Sequence, residues 1–272
     1  MKSIGIDCTA GAAGDMLLGA ALDLLAGYSG RDSLAYDEEF EPVELAAWNE
    51  QIKNLLSREE GNRFSLRRVR RAGLSALKID FYVSGVHADH HASPHGAATL
   101  AGVSKIVEKQ HTNGGLSTAA AELSLKIFHV LAQAEAKAHR TLPEKVHFHE
   151  VGAFDSVMDV LGFSAAFAEL APDEVAATPV TLGSGTVRTA HGVLDVPPPA
   201  VREIVEHFSL PITGIMLEGE RLTPTGAAIL AAVVNHWNCA VSAEGAAAIG
   251  KGAGNREDTL RPNLVSMYLH RS

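Results

Sequence analysis

Apolar and polar positions repeat with two periods along this chain, and the switches between them predict its elements. Residues 3–7 read as a short buried strand ending in Asp7, followed by a small-residue loop and an apolar helix through about Leu25. Residues 30–61 are charged, with Trp48, Ile52, Leu55 and Leu56 at helical spacing, which predicts a helix packed on the body. Phe64, Leu66 and Val69 precede Ala72-Gly73, and Leu77, Ile79, Phe81 and Val83 follow it; this alternation predicts a β-hairpin whose arginines form a solvated face. Helical periodicity returns over 97–109 and 116–139, the second with a buried stripe of Leu123, Ile127, Val130, Leu131 and Ala134. On that helix Glu135 and His139 are four apart and read as a surface pair. A strand over 145–150 would carry His147 and His149 on one face.

Beyond it, 156–170 reads as a buried alanine-rich helix and 174–182 as a strand broken by Gly183-Ser184-Gly185. Residues 186–196 resemble a hairpin turning at His191-Gly192, and Pro197-Pro198-Pro199 leads into a helix with one proline in its first position. Thr223 is a natural N-cap and Pro224 a natural first residue for an apolar helix to Val234. The glycine-rich stretch 246–255 reads as a turn, and 264–269 as a closing strand. Strands and helices interleave without a regular βαβ beat or an internal repeat. The expected class is α/β or α+β, a mixed sheet flanked by helices, in a single domain over 1–272 with a sub-domain around 62–96.

Composition narrows the function. Of 272 residues, 46% are hydrophobic and 20% charged, as in a globular protein with a sizeable core. A net charge of -9 argues against nucleic acid as a partner of the surface as a whole, despite the local run of Arg63, Arg67, Arg68, Arg70 and Arg71. Two cysteines, Cys8 and Cys239, build no disulfide framework, and neither a signal peptide nor a membrane span is visible, so the expected location is a reducing cytoplasm. Thirteen histidines are the compositional oddity and raise the prior for metal or proton chemistry.

Four stretches carry candidate chemistry. Between His147 and Asp159 lie two imidazoles, three carboxylates and Gly152. A strand end, a turn and a helix start can aim His147, His149, Glu150 and Asp155 into one pocket, with Asp159 one helical turn beyond Asp155. Mixed nitrogen and oxygen ligands suit zinc, nickel or iron better than calcium or magnesium, although a polar strand end with Asp155 as an ordinary cap would look the same. The loop from Cys8 to Met16, with Gly11, Gly14 and Asp15, joins a strand to a helix; it either presents free N–H groups to a phosphate or is merely a tight turn. The Thr223 helix end, with the Thr225 hydroxyl, could hold a phosphate or carboxylate, and Ser184 lies in a break that brings backbone close to a neighbour or ligand. A fourth stretch, 86–96, holds four histidines and could capture metal loosely.

In order along the chain, these motifs resemble the LarC-type nickel-insertion family, which completes the nickel-pincer nucleotide cofactor. The matching elements are Asp7-Cys8 with Gly11 and Gly14-Asp15-Met16, the His-rich loop, Val146 to Ala153 with Asp155-Ser156, Leu182 to Gly185, Ala190-His191-Gly192, Val196 to Ala200, Leu222 to Ala228, and Gly252-Ala253-Gly254. The resemblance implies a nickel chelatase, or cyclometallase, of the lyase type. Nickel would be inserted into pyridinium-3,5-bisthiocarboxylic acid mononucleotide, forming Ni–S and Ni–C bonds, with CTP consumed. Forming the Ni–C bond requires a ring proton to leave, and His149, Glu150 or His191 could accept it. Gly11, Gly14, Asp15, Ser184, Thr223 and Thr225 are then candidates for binding the nucleotide. Family members often carry a further C-terminal domain to which CTP binding is attributed. The resemblance covers only the N-terminal domain, so a separately supplied C-terminal half is an expected partner, and a homo-oligomer is expected. Competing readings are a non-catalytic nickel chaperone or store, centred on the His-rich loop, and a metal-dependent hydrolase using His147 and His149 with Asp155.

Overall fold

The computed structural model describes residues 1–28, 39–40, 63–83, 86–87, 99–148, 153–189, 192–256, 258 and 261–271. Eight strands of these residues share one mixed sheet. Its order is β2–β3–β4–β11–β12–β1–β6, from Glu39–Phe40 (β2) through Arg63–Arg71 (β3), Leu74–Val83 (β4), Ala248–Ala253 (β11), Leu264–Arg271 (β12) and Lys2–Asp7 (β1) to Glu174–Ala177 (β6). The short β5, Val86–His87, adds to β4. Because β12 runs antiparallel to both β1 and β11, while β11 is parallel to β4 and β6 to β1, the strands β1, β4, β6 and β11 all point one way. The expected mixed sheet is therefore present, and the stretch read as a sub-domain contributes β3, β4 and β5 to it.

Six helices are described: α1 (Gly14–Tyr28), α2 (Leu100–Thr112), α3 (Thr118–Ala138), α4 (Phe154–Leu170), α5 (Pro199–His207) and α6 (Pro224–Val233). None is long and apolar enough to cross a membrane. The core joins Ile4 and Ile6 of β1, Leu17, Leu18 and Leu22 of α1, Ile127 and Phe128 of α3 and Phe163 of α4, each 2% exposed or less. Burying each such side chain contributes roughly 1.5–3 kcal/mol, before the conformational entropy that opposes it. Glu135 and His139 do pair on α3, at 3.4 Å.

Helix α1 lies directly on β11. A Cβ on Gly252 would fall 1.8 Å from the Met16 carbonyl oxygen, and one on Gly250 would fall 2.2 Å from that of Ala20. With the small Ala248, these alternate positions form a nearly smooth face on which the helix backbone rests. The stretch read from its glycines as a turn is thus a central strand, its glycines spaced by the pleat.

Other expectations need correction. The arginines of the hairpin do not all face water. Arg67 and Arg70 are exposed, but Arg68 is buried against Asp23 of α1 at 2.6 Å, and Arg71 donates to the Gly254 carbonyl at 3.2 Å. The other oxygen of Asp23 accepts the Lys251 amide at 2.8 Å, so one carboxylate joins the helix, the hairpin and β11. The stretch read as a strand from 145 begins instead as a single 3-10 turn, Pro143–Lys145, since proline fixes φ at a turn-forming value. Among the described residues of that stretch a one-residue bridge, His147 to Thr99, follows it. Strand β6 ends at Ala177, where Thr178 turns its hydroxyl to the Cys8 amide at 2.8 Å and the chain leaves the ladder. The glycine break that follows forms a two-residue ladder, β7 (Gly183–Ser184) with β10 (Gly219–Glu220). The predicted hairpin is present as β8 (Thr186–Thr189) and β9 (Gly192–Asp195). Of the helix expected over 30–61 only Glu39–Phe40 are described, and they form strand β2 against β3 instead; the histidines at 90, 91 and 95 lie outside the described residues.

Helix α6 starts as its sequence predicts, with Pro224 in the first turn and the Thr223 hydroxyl accepting the Gly226 amide at 3.1 Å. Thr223→Ala removes that cap. We expect a loss of about 1 kcal/mol, read as a fall in Tm of roughly 2–4 °C in thermal denaturation, with Thr223→Ser restoring most of it.

Candidate functional site

The strands sharing one direction deliver their carboxyl ends to the same edge of the sheet, the usual place for a ligand in an open α/β fold. A cavity of about 350 Å³ opens there. Ile79 to Phe81 line it from the end of β4, Ala13 to Met16 from the turn after β1, and Gly254 to Arg256 from the turn after β11. Val187 to Thr189 of β8 and Asn263 complete the wall. The starts of α1, α4 and α6 all face this space, through Gly14 and Asp15, Asp155 and Ser156, and Thr223 to Thr225.

Local chemistry builds the turn after β1. Asp7 accepts from the amide and hydroxyl of Thr9, at 3.0 and 2.7 Å, which curls the chain back at the strand end. Gly11 then takes φ +108°, and a Cβ there would sit 2.2 Å from the Arg221 carbonyl. That close approach lets the Ala12 amide donate to Arg221 at 2.8 Å while the Thr223 amide donates back to Ala12 at 3.1 Å. The starts of α1 and α6 are locked together by this exchange. Gly11 therefore serves the packing of two backbones and does not line the cavity.

One side of the cavity is acidic. Asp15 and Asp155 each accept the next residue's amide, both at 2.8 Å. Asp159, one turn along α4, is only 8% exposed and reaches the start of α1 over Gly14, where a Cβ would meet its Oδ2 at 2.5 Å. Its Oδ1 is buried with no hydrogen-bond partner. Burial pushes the Asp159 carboxyl well above its ordinary value, and the charges of Asp15 and Asp155 push it further, against a smaller opposing pull from Lys78. Burial likewise raises Asp15, with Lys78 and the Met16 amide drawing it back. Lys78 is itself buried and pairs with Asp80 at 2.7 Å, and Arg67 holds the other Asp80 oxygen at 3.1 Å.

The other side is basic. Arg221 is 7% exposed; its Nε donates to the Glu218 carbonyl at 3.0 Å and its Nη2 to Asp258 at 2.7 Å. Its Nη1 is buried without a hydrogen-bond partner. Exposed Arg188 and Arg256 stand on the same lining. The cavity lining thus carries both carboxylates and guanidinium groups, an arrangement suited to a ligand that brings a cation and an anion together.

Six residues singled out in the sequence, Gly14, Asp15, Asp155, Asp159, Thr223 and Thr225, meet on this lining. Ser184 is elsewhere, its hydroxyl donating to the Leu217 carbonyl at 2.9 Å. His147 is exposed and is not part of the cavity wall. His149, Glu150 and His191 lie outside the described residues. Among the described residues no three His, Cys, Asp or Glu side chains are arranged to hold a metal ion unaided. Both cysteines are free, and burial raises the Cys8 thiol far above its ordinary value, so it stays protonated. Lys78, Asp80, Arg221 and Arg256 were not anticipated. A lysine inside an apolar strand run was the one available signal, since a charge there must find a partner.

No solved structure matches this chain. A relative from Geobacter metallireducens is 38% identical over 269 residues, covering 99% of this chain and 61% of that protein. Relatives from Geobacillus kaustophilus and Akkermansia muciniphila are each 33% identical over 99% of this chain and 60% of their own length. Both are named pyridinium-3,5-bisthiocarboxylic acid mononucleotide nickel insertion protein. The chain spans about three-fifths of the length of the curated relatives it matches. The family model for nickel insertion proteins matches residues 4–272, and the chain belongs to that family.

Proposed function

We propose that this chain carries the nickel-inserting centre of its family and acts, at the cavity described above, on a pyridinium-3,5-bisthiocarboxylic acid mononucleotide. The carrying observation is the pairing of two buried, unpartnered polar atoms on one lining, Asp159 Oδ1 and Arg221 Nη1. A substrate with a mononucleotide at one end and a metal-accepting ring at the other needs both kinds of group. In the reaction two Ni–S bonds and one Ni–C bond form, and the ring C–H bond breaks with loss of a proton. A carboxylate whose proton is held tightly is a stronger base than an ordinary one, so ionised Asp159 is fitted to take that proton. Asp15 and Asp155 help to hold the incoming cation, and Lys78 keeps the cluster from losing its charge altogether. His149, Glu150 and His191 remain candidates for delivering nickel or moving the proton. CTP, consumed in the family reaction, is assigned to the further C-terminal domain that family members carry, and the free cysteines suit a reducing cytoplasm.

The test is nickel incorporation into the precursor nucleotide, followed by mass spectrometry, with CTP and with or without a supplied C-terminal portion. Product that requires this chain is the expected result. Nickel retained by the chain but never passed to the nucleotide, even with the C-terminal portion present, would support the storage reading instead.

A further inference from the structure

Resting on that reading of the site, the geometry points to Arg221 and the start of α6 as a phosphate anchor that fixes which way round the nucleotide lies in the cavity. Arg221 is held rather than free to search. The Glu218 carbonyl and Asp258 take its Nε and Nη2, at 3.0 and 2.7 Å, and leave Nη1 as a buried donor on the cavity wall. An arginine clamped by its neighbours loses little freedom on meeting an anion, and its planar fork matches phosphate geometry.

Helix α6 supplies an independent donor set beside it. Its first residue, Pro224, has no N–H, the Gly226 amide is capped by Thr223 and the Ala227 amide donates to the Thr223 carbonyl. The Thr225 amide is left at the positive end of a ten-residue helix, with the hydroxyl of the same buried residue next to it. Arg256, exposed on the same lining, adds a second guanidinium at the mouth.

A phosphate held here leaves the rest of the nucleotide to the remaining lining, which includes Asp159 with its buried, unpartnered oxygen. The cavity, at about 350 Å³, has the size of a small-molecule pocket. Selectivity follows from the same arrangement. A nucleoside lacking the phosphate leaves Arg221 Nη1 buried and unmatched, so it binds more weakly although its ring is unchanged.

Calorimetric binding to the full chain tests this, with nicotinic acid mononucleotide and its dephosphorylated nucleoside as the paired probes. We expect the nucleotide to bind at least tenfold tighter than the nucleoside. Arg221→Gln should erase that preference, and Arg221→Lys should keep part of it. If Arg221→Gln does not fold, the milder Thr225→Val and Arg256→Gln variants decide, each expected to reduce the preference. A wild-type chain that does not distinguish the two probes overturns the anchor. So does a folded Arg221→Gln with the preference intact, or an unchanged preference in both milder variants. Intact phosphate preference in a chain that inserts no nickel, with the C-terminal portion supplied, would sink the proposed reaction and leave the anchor standing.

Discussion

Asp159→Asn is expected to make the protein more stable at pH 7–8 and to lower nickel insertion by about 10²–10³-fold. The activity loss is the usual scale for removing a positioned proton acceptor. The stability gain follows from the raised carboxyl of Asp159, caused first by burial and then by Asp15 and Asp155. Between the ordinary aspartate value near 4 and the raised value, the folded protein holds a proton that the unfolded chain releases. Unfolding is therefore favoured as pH climbs through that window, and wild-type stability erodes. Asparagine has no proton to lose. The variant's advantage should be absent near pH 4, grow with pH and reach about 1–2 kcal/mol, or roughly 2–8 °C in Tm. Thermal denaturation of both proteins from pH 4 to 8 measures it. An advantage independent of pH, or a variant weaker than wild type at pH 8, would contradict the assignment of Asp159 as a strained, buried acid.

Gly252→Ala should be the most damaging single methyl in the molecule, at about 4 kcal/mol or more. Its backbone angle is ordinary, so conformational freedom is not the issue. The added carbon would lie 1.8 Å from the Met16 carbonyl and 2.5 Å from the Ala20 amide, both backbone atoms of α1 that no rotamer change can move. The helix must lift from the strand, and since Gly14 to Met16 are cavity wall, insertion activity should fall with stability. Gly214→Ala is the matched control: nothing lies within 4 Å of its added carbon, and a change under about 0.5 kcal/mol is expected. Chemical denaturation of the pair decides the matter. A Gly252→Ala loss below about 1 kcal/mol would mean the helix and strand are not in backbone contact.

The elements read correctly from sequence are those whose signals are local. The hairpin about Ala72-Gly73 shows its period within twenty residues, and the Thr223-Pro224 helix start carries its own cap. The misread elements depend on distant partners. Glycines at 250 and 252 looked like punctuation because nothing nearby announces that α1, more than two hundred residues earlier, rests on them. Arg68 looked solvated because Asp23, its buried partner, is 45 residues away. The site divides in the same way. Gly14, Asp15, Asp155, Thr223 and Thr225 sit in motifs visible from neighbours alone. Arg221 and Lys78 matter because of burial, which no short pattern records. His147 combines a suggestive spacing with an exposed side chain away from the cavity wall, and its motif partners His149 and Glu150 lie outside the described residues.

The pairing of β1 with β12 also governs when this protein becomes competent. Residues 2–7 find their antiparallel partner in 266–271, and β12 alone bridges β1 to β11. The cavity wall in turn needs Ala13 to Met16 together with Gly254 to Arg256 and Asn263. A nascent chain emerging from the ribosome therefore cannot close its sheet, or assemble the cavity lining, until the last of these strands has been made. Such non-local closure is slow compared with helix formation. Any ligand of this cavity encountered earlier meets an unfinished site, so binding there is deferred to the completed fold.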